Sequence, residues 1–268
     1  MKENHADQVW EAVEKIRRNA PVVHNITNYV VMNTTANALL ALGASPVMAH
    51  AAQEASDMAG IASALVINIG TLSGEWVKSM YLAAERAATR GIPLVFDPVG
   101  AGATPYRTGT ARDFVRVFRP AIIRGNASEI MALKEDGAQT RGVDSAHSSR
   151  DAAATARALC EDHGSVVCVS GEIDYIVGKN ALVKVMNGHP LMPRVTGLGC
   201  TATALCGAFA AVEGDPLTAA AHAMAVMGIA GEMAAAGAAG PGTLQVRFLD
   251  SLYALTQGDI ASRLKLEA

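Results

Sequence analysis

Short apolar runs, each closed by a glycine or a polar residue, alternate along this chain with segments of helical period, and that alternation leaves few folds open. Residues 64–69 are a buried-strand run that ends at Gly70. Trp76, Met80, Ala84 and Ala87 then repeat at helical spacing up to Arg90-Gly91. Residues 93–96 form the next strand and end at Asp97-Pro98, and residues 120–123 form another that ends at Arg124-Gly125-Asn126. Residues 165–169 lead into Ser170-Gly171. Residues 174–177 and 181–186, joined by Gly178-Lys179-Asn180, read as a hairpin. From Thr201 onward the pattern is almost entirely helical. Strands alternating with helices imply an α/β chain with a mostly parallel sheet and helices on both faces. Ligands of such sheets sit beyond the carboxyl ends of the strands. Asp97, Arg124, Asn126, Glu129 and Ser170 all fall at or just after strand ends, so they are expected to share one cleft.

Length and composition narrow the possibilities. The 268 residues, 50% of them hydrophobic, suffice for one large α/β domain or two small ones. No linker, low-complexity block or repeat interrupts them, so a single domain over residues 1–268 is expected. A net charge of −3 is not basic enough for a nucleic-acid surface. The first residues are polar and carry acids, unlike a signal peptide. The longest apolar run, between His222 and Glu232, is too short and too rich in Ala and Gly to span a bilayer. Cys160, Cys168, Cys200 and Cys206 form no C-x-x-C pair, which argues against a zinc site or a disulfide framework. A cytoplasmic protein with free thiols is the simplest expectation.

The stretch with most chemical content is Arg194-Val195-Thr196-Gly197-Leu198-Gly199-Cys200-Thr201. Gly197 and Gly199 let the backbone turn sharply and approach a ligand. A helix reading from Thr201 onward would place unpaired N–H groups there, and such a helix start holds anions. Cys200 then lies where a phosphate would be held, its thiolate favoured by the helix start. It could take the proton that an attacking hydroxyl loses in phosphoryl transfer. Two blander readings compete. Gly197, Gly199 and Ala202 match G-x-G-x-x-[G/A], but the match falls late in the chain and lacks the second strand and acid of a dinucleotide site. A purely structural glycine turn is the other.

The remaining candidates follow the same logic. Asp97, at a strand end, suits Mg²⁺, which prefers one or two carboxylates plus phosphate oxygens and water. Asn126 and Glu129 have the spacing of a reciprocal helix cap, though beside Asp97 a metal role for Glu129 is favoured. Arg124 could hold a nucleotide phosphate bidentately, and Ser170 could hydrogen-bond one. Near the N-terminus, His24-Asn25-Ile26-Thr27-Asn28 precedes a helix read over residues 29–42 and closed by Gly43, with Asn25 or Thr27 as a possible cap. Residues 45–50 form an unusual loop in which Met48 is either core filler or the lining of a pocket for a flat, sulfur-containing ring.

Taken together, these segments resemble the hydroxyethylthiazole kinases of thiamine salvage, within the ribokinase-like superfamily. The matching blocks are His24-Asn25-Ile26-Thr27-Asn28, Ser45-Pro46-Val47-Met48, Asp97-Pro98-Val99-Gly100-Ala101, Arg124-Gly125-Asn126-Ala127-Ser128-Glu129, Val195-Thr196-Gly197-Leu198-Gly199-Cys200 and Gly240-Pro241-Gly242-Thr243. The resemblance implies a three-layer α/β/α fold and transfer of the ATP γ-phosphate to the hydroxyl of 4-methyl-5-(2-hydroxyethyl)thiazole. It implies that Met48 and Gly197 contact the thiazole, that Arg124 and Ser170 contact ATP, and that Asp97 and Glu129 organise Mg²⁺. Ser170 stands where many members carry Thr, and Cys200 where the wider superfamily carries Asp. It further implies a homotrimer in which the Asn25 region contributes to a neighbour's pocket. A kinase for hydroxymethylpyrimidine or pyridoxal, or a nucleotide-binding protein without turnover, are the alternative readings.

Overall fold

The structure, a computed structural model, describes residues 2–134 and 149–268. The first half of the chain runs α1 (Lys2–Asn19), β1 (Val22–Ile26), α2 (Met32–Leu42), β2 (Ser45–Val47), α3 (Ala55–Ile61), β3 (Ala64–Asn68), α4 (Gly74–Arg90), β4 (Leu94–Asp97), α5 (Pro105–Phe118), β5 (Ile122–Asn126) and α6 (Ala127–Ala132). The second half runs α7 (Ala153–His163), β6 (Val166–Ser170), β7 (Asp174–Val177), β8 (Leu182–Val185), α8 (Leu198–Ala210), α9 (Pro216–Ala235), α10 (Pro241–Ala254), α11 (Gln257–Arg263) and β9 (Leu266–Glu267). Among the described residues the strands form one nine-stranded sheet in the order β2-β1-β3-β4-β5-β6-β7-β8-β9. β1 to β6 are mutually parallel, and the hairpin β7–β8 and then β9 continue the sheet antiparallel.

Side chains alternate across each strand, so each strand feeds two cores. Val23, Val66, Val95, Ile122 and Cys168 join the core under α1, α2, α8, α9 and α10. Leu65, Ile67, Phe96, Ile123 and Val167 join the core under α3 to α7. The result is three layers, helices–sheet–helices. Local chemistry sets many boundaries. Ser73, Thr104, Asn126, Asp215 and Thr256 cap the helices that follow them by accepting a backbone N–H. Gly91, at φ 67°, takes the left-handed conformation that ends α4.

Several expectations need correction. The block at 24–28 begins inside a strand: Val22–Ile26 is β1, hidden in the sequence by its two polar members, His24 and Asn25. Neither Asn25 nor Thr27 caps the next helix, which starts at Met32 rather than Tyr29, because residues 29–31 form a turn closed by Val31 N–H donating to Asn28 O at 3.2 Å. Residues 45–47 are not loop but the edge strand β2, where Pro46 is tolerated. The C-terminal region is helical except for β9. The apolar run near His222 belongs to a 20-residue helix, α9, long and apolar enough to cross a membrane, yet 78% of its most apolar window is buried inside the fold.

Candidate active site

α8 starts at Leu198, not at Thr201, because Gly197 occupies the position before the helix at φ 83° and its carbonyl accepts from Thr201 N–H at 2.9 Å. Cys200 is therefore in the first turn. No side chain caps this helix, so the N–H groups of Leu198, Gly199 and Cys200 have no carbonyl partner within it. The two glycines serve different ends. A Cβ on Gly197 would come within 2.6 Å of Val31 Cγ1, besides straining the backbone; a Cβ on Gly199 would meet Arg124 Nη1 at 2.9 Å. Gly199 thus makes room for a guanidinium beside the helix start.

Strand alternation gathers the rest. Asn68 ends β3 and Asp97 ends β4 directly opposite it. Both lie on the face covered by α8, as do Asn25, Arg124 and Ser170 by the same alternation. Asp97 Oδ2 accepts from Asn68 Nδ2 at 2.8 Å and from Thr203 Oγ1, one turn into α8, at 2.7 Å. Its other oxygen, Oδ1, is buried and has no partner among the described residues. Arg124 is half-buried, donates from Nη2 to Ser170 Oγ at 2.6 Å, and has no partner for Nε among the described residues. Burial works against the Arg124 charge, but Asp97, Cys168, Glu129 and Asp174 outweigh it and push its pKa up.

Glu129 does form the cap that its spacing suggested. Its Oε2 accepts from Asn126 N–H at 2.8 Å, while Asn126 Oδ1 accepts from Glu129 N–H at 3.0 Å. Its Oε1 also accepts from Gly100 N–H at 2.9 Å, tying the loop after β4 to the start of α6. Burial, aided by the charge of Asp97, pushes the Glu129 carboxyl up to about 7. Burial likewise pushes Asp97 up to about 6, against the pull of Arg124 and its two hydrogen-bond donors, and Asp174 up to about 7.

Cys200 overturns one expectation. Its thiol is pushed up to about 11, by burial first and by Asp97 second, so the neutral thiol prevails despite the helix start. Asn28 Nδ2 points at its Sγ from 3.5 Å. The other candidates sit as follows. Asn25 is fully buried, donates to Val23 O at 2.9 Å and has no partner for Oδ1 among the described residues. Met48 follows edge strand β2, in a loop held by His24 Nε2, which donates to Ala49 O at 2.7 Å. Burial lowers the His24 pKa. His50 of the same loop packs against Trp76, ring centroids 4.6 Å apart.

Sequence reasoning missed four contributors. Asn68, Asn28 and Thr203 complete the polar cluster, and Arg107 from α5 clamps the loops after β3 and β4 through the carbonyls of Ile69, Gly70 and Val99 at 2.6–2.9 Å. A lone amide closing an otherwise apolar strand was the available signal for Asn68. Thr203, inside an Ala- and Leu-rich helix, and Arg107, on an ordinary amphipathic one, gave none.

A ribokinase-like superfamily protein from Enterococcus faecalis superposes with a TM-score of 0.63 at 13% identity, covering 88% of each chain. A Staphylococcus aureus pyridoxal kinase gives 0.60 at 16% identity, covering 78% of this chain and 86% of that one. These place the architecture in the ribokinase-like class of α/β folds. Nearer relatives go further. The model of the hydroxyethylthiazole kinase family matches residues 13–258. A hydroxyethylthiazole kinase from Syntrophus aciditrophicus is 62% identical over 263 residues, 98% of this chain and 97% of that one. The structure of the hydroxyethylthiazole kinase from Pyrococcus horikoshii superposes with a TM-score of 0.89 at 43% identity, covering 97% and 98%. This chain belongs to the hydroxyethylthiazole kinase family.

Proposed function

We propose that this chain, acting as a single domain, transfers the γ-phosphoryl group of ATP to the hydroxyl of 4-methyl-5-(2-hydroxyethyl)thiazole. The observation that carries the reading is the convergence of Arg124, Asp97 and the uncapped start of α8 on one face of the sheet's carboxyl edge. An anion seated there meets three backbone N–H groups, the positive end of a helix and a guanidinium. Arg124 and Ser170 hold the nucleotide phosphates. The N–H groups of Leu198, Gly199 and Cys200 stabilise charge that develops on the transferred group. Met48 and Gly197 border the thiazole.

The free, buried Oδ1 of Asp97 fits a divalent cation, which prefers a carboxylate oxygen beside phosphate. Both Glu129 oxygens already accept backbone N–H groups, so Glu129 supports the cation while anchoring the loop at Gly100. Mg²⁺ bound there would neutralise phosphate charge and orient the nucleotide. Cys200, a neutral thiol facing Asn28, positions the acceptor hydroxyl beside the transferred group rather than taking its proton. The active form is a cytoplasmic homotrimer. The exposed Tyr29 and Val30, a few residues after the buried Asn25, support the reading that this region adjoins a neighbour's pocket.

ADP release tests the reading. It is expected to require Mg²⁺ and the thiazole alcohol, with little turnover of hydroxymethylpyrimidine or pyridoxal. A preference for either of those alcohols sinks the substrate assignment.

A further inference from the structure

One hydrogen-bond chain crosses the site and joins Cys200 to Asp97 through residues given no role above. Asn28 Nδ2 donates to Asn68 Oδ1 at 2.8 Å and points at Cys200 Sγ from 3.5 Å. Asn68 Oδ1 also accepts from Gly70 N–H at 2.9 Å, and Asn68 Nδ2 donates to Asp97 Oδ2 at 2.8 Å. Thr203 donates to the same Asp97 oxygen at 2.7 Å. Asn28, Asn68 and Thr203 are all buried, so no solvent stands in for a lost partner.

The geometry has a direction. Two neutral donors load Oδ2 of Asp97 and none reaches Oδ1, so the carboxylate is rotationally fixed with one oxygen free. An amide is suited to the position before it. Its oxygen serves the loops after β1 and β3, and its N–H₂ serves the acid. A carboxylate at 68 could do only the first. A buried amide with all these bonds made costs little, whereas breaking one leaves a buried polar atom unpaired.

We propose that Asn68 is a positioning residue for phosphoryl transfer. It holds Asp97 with Oδ1 free toward the phosphates, and through Asn28 holds Cys200 at a fixed distance from that acid. This rests on the function proposed above. Groups that orient a ligating residue from behind are typically worth about 10–100-fold in affinity or activity. Thr203, acting on the same oxygen, is the second support, and residues that act as a unit are not additive.

The test compares the native chain with Asn68→Ser, Asn68→Asp, Thr203→Val and the Asn68→Ser/Thr203→Val double variant. Thermal melts fix the folded fraction of each. Two quantities are read: steady-state kcat and KM for the thiazole alcohol, and the rise in melting temperature given by a non-hydrolysable ATP analogue with Mg²⁺. Asn68→Ser is expected to lose about 10–100-fold in kcat with thiazole KM within about threefold, and to show a smaller analogue-induced rise. Asn68→Asp keeps the acceptor for Asn28 and Gly70 and donates to Asp97 only while the pair of acids shares a proton, so at a pH above that it should fail to rescue kcat. If it does not fold, Asn68→Ser and Thr203→Val carry the test. The double variant should lose less than the product of the singles. Folded Asn68→Ser with native kcat, or Asn68→Asp with native kcat at a pH where both acids are ionised, overturns the proposal and leaves Asn68 as a support for the turn at Gly70. If the native chain shows no thiazole-dependent ADP release, the proposed function fails. The analogue-induced rise in Asn68→Ser then decides this inference alone: a smaller rise supports it and an unchanged one overturns it.

Discussion

The two faces of the central sheet are packed by opposite means. Under α3 to α7 the core is aromatic: Phe96 stacks on Phe114 with centroids 4.8 Å apart, and Tyr81 and Phe118 meet edge-on at 5.1 Å. Under α8 and α9 the helix faces are rich in Ala and Gly, with Phe209 and Phe248 as the only buried aromatic rings of that cluster among the described residues. A Cβ on Gly207 would lie 2.5 Å from Val66 Cγ2, so α8 rests almost directly on β3. Bulk on the first face gives area and rigidity. Close approach on the second brings the start of α8 over the ends of β3, β4 and β5. Asp97, Arg124, Asn68 and Cys200 meet there. The difference teaches that a single alternation of side chains separates stability from chemistry: Phe96 points to one layer and Asp97, its neighbour in sequence, to the other.

That separation can be broken by measurement. The largest effect should come from the aromatic face. Phe114→Ala is expected to cost about 3–5 kcal/mol of stability while kcat per folded molecule stays native. Denaturant melts paired with active-site titration check it, and a comparable loss of kcat would erase the distinction between the faces. The next concerns Asp97→Asn. Loss of a preorganised charge should lower kcat by about 10²–10³-fold, roughly 3–4 kcal/mol of transition-state stabilisation. At pH 7.5 the melting temperature should hold or rise, because the amide removes a buried carboxyl whose charge the fold disfavours. A folded variant with native turnover would remove Asp97 from the chemistry.

The smallest effect is in the pH dependence of the ligand-free chain. Asp97, Glu129 and Asp174 are held at about 6, 7 and 7 by burial, whereas unfolded carboxyls titrate near roughly 4. Between those values the folded chain binds more protons than the unfolded one, so stability falls as pH rises from about 4 to 7 and then levels off. Melting temperature should therefore drop between pH 5 and pH 7.5. Asp174→Asn, which keeps the acceptor for Gly171 N–H, should flatten the slope. A melting temperature that climbs over this interval contradicts the assignment of these acids as buried and disfavoured in charge.

Much of this was legible in the sequence, for physical reasons. Strands β3 to β6 announce themselves because both faces are buried, giving continuous apolar runs. That Asp97, Arg124 and Ser170 gather at one edge of the sheet was legible because strand ends converge there. β1 was not, since His24 and Asn25 interrupt its pattern, and the bonds that hold one atom of each, to Ala49 O and Val23 O, show only in the fold. The state of the Cys200 thiol was misjudged for a similar reason. The helix start is visible in sequence, whereas the burial and the Asp97 charge that override it arise only from packing. Asn68 and Thr203 were invisible as partners because the bonds that define them span 29 and 106 positions.

The central claim, that phosphoryl transfer occurs at the start of α8 over the strand ends, is tested most directly by a crystal structure with a non-hydrolysable ATP analogue and the thiazole alcohol bound together. The account requires the γ-phosphate on the N–H groups of Leu198, Gly199 and Cys200, between Arg124 and the free oxygen of Asp97, with the acceptor hydroxyl beside Cys200. Phosphates seated elsewhere would contradict it, most plainly in the cavity of about 480 Å³ between Ile92, Phe118 and Glu213 at the opposite ends of the strands.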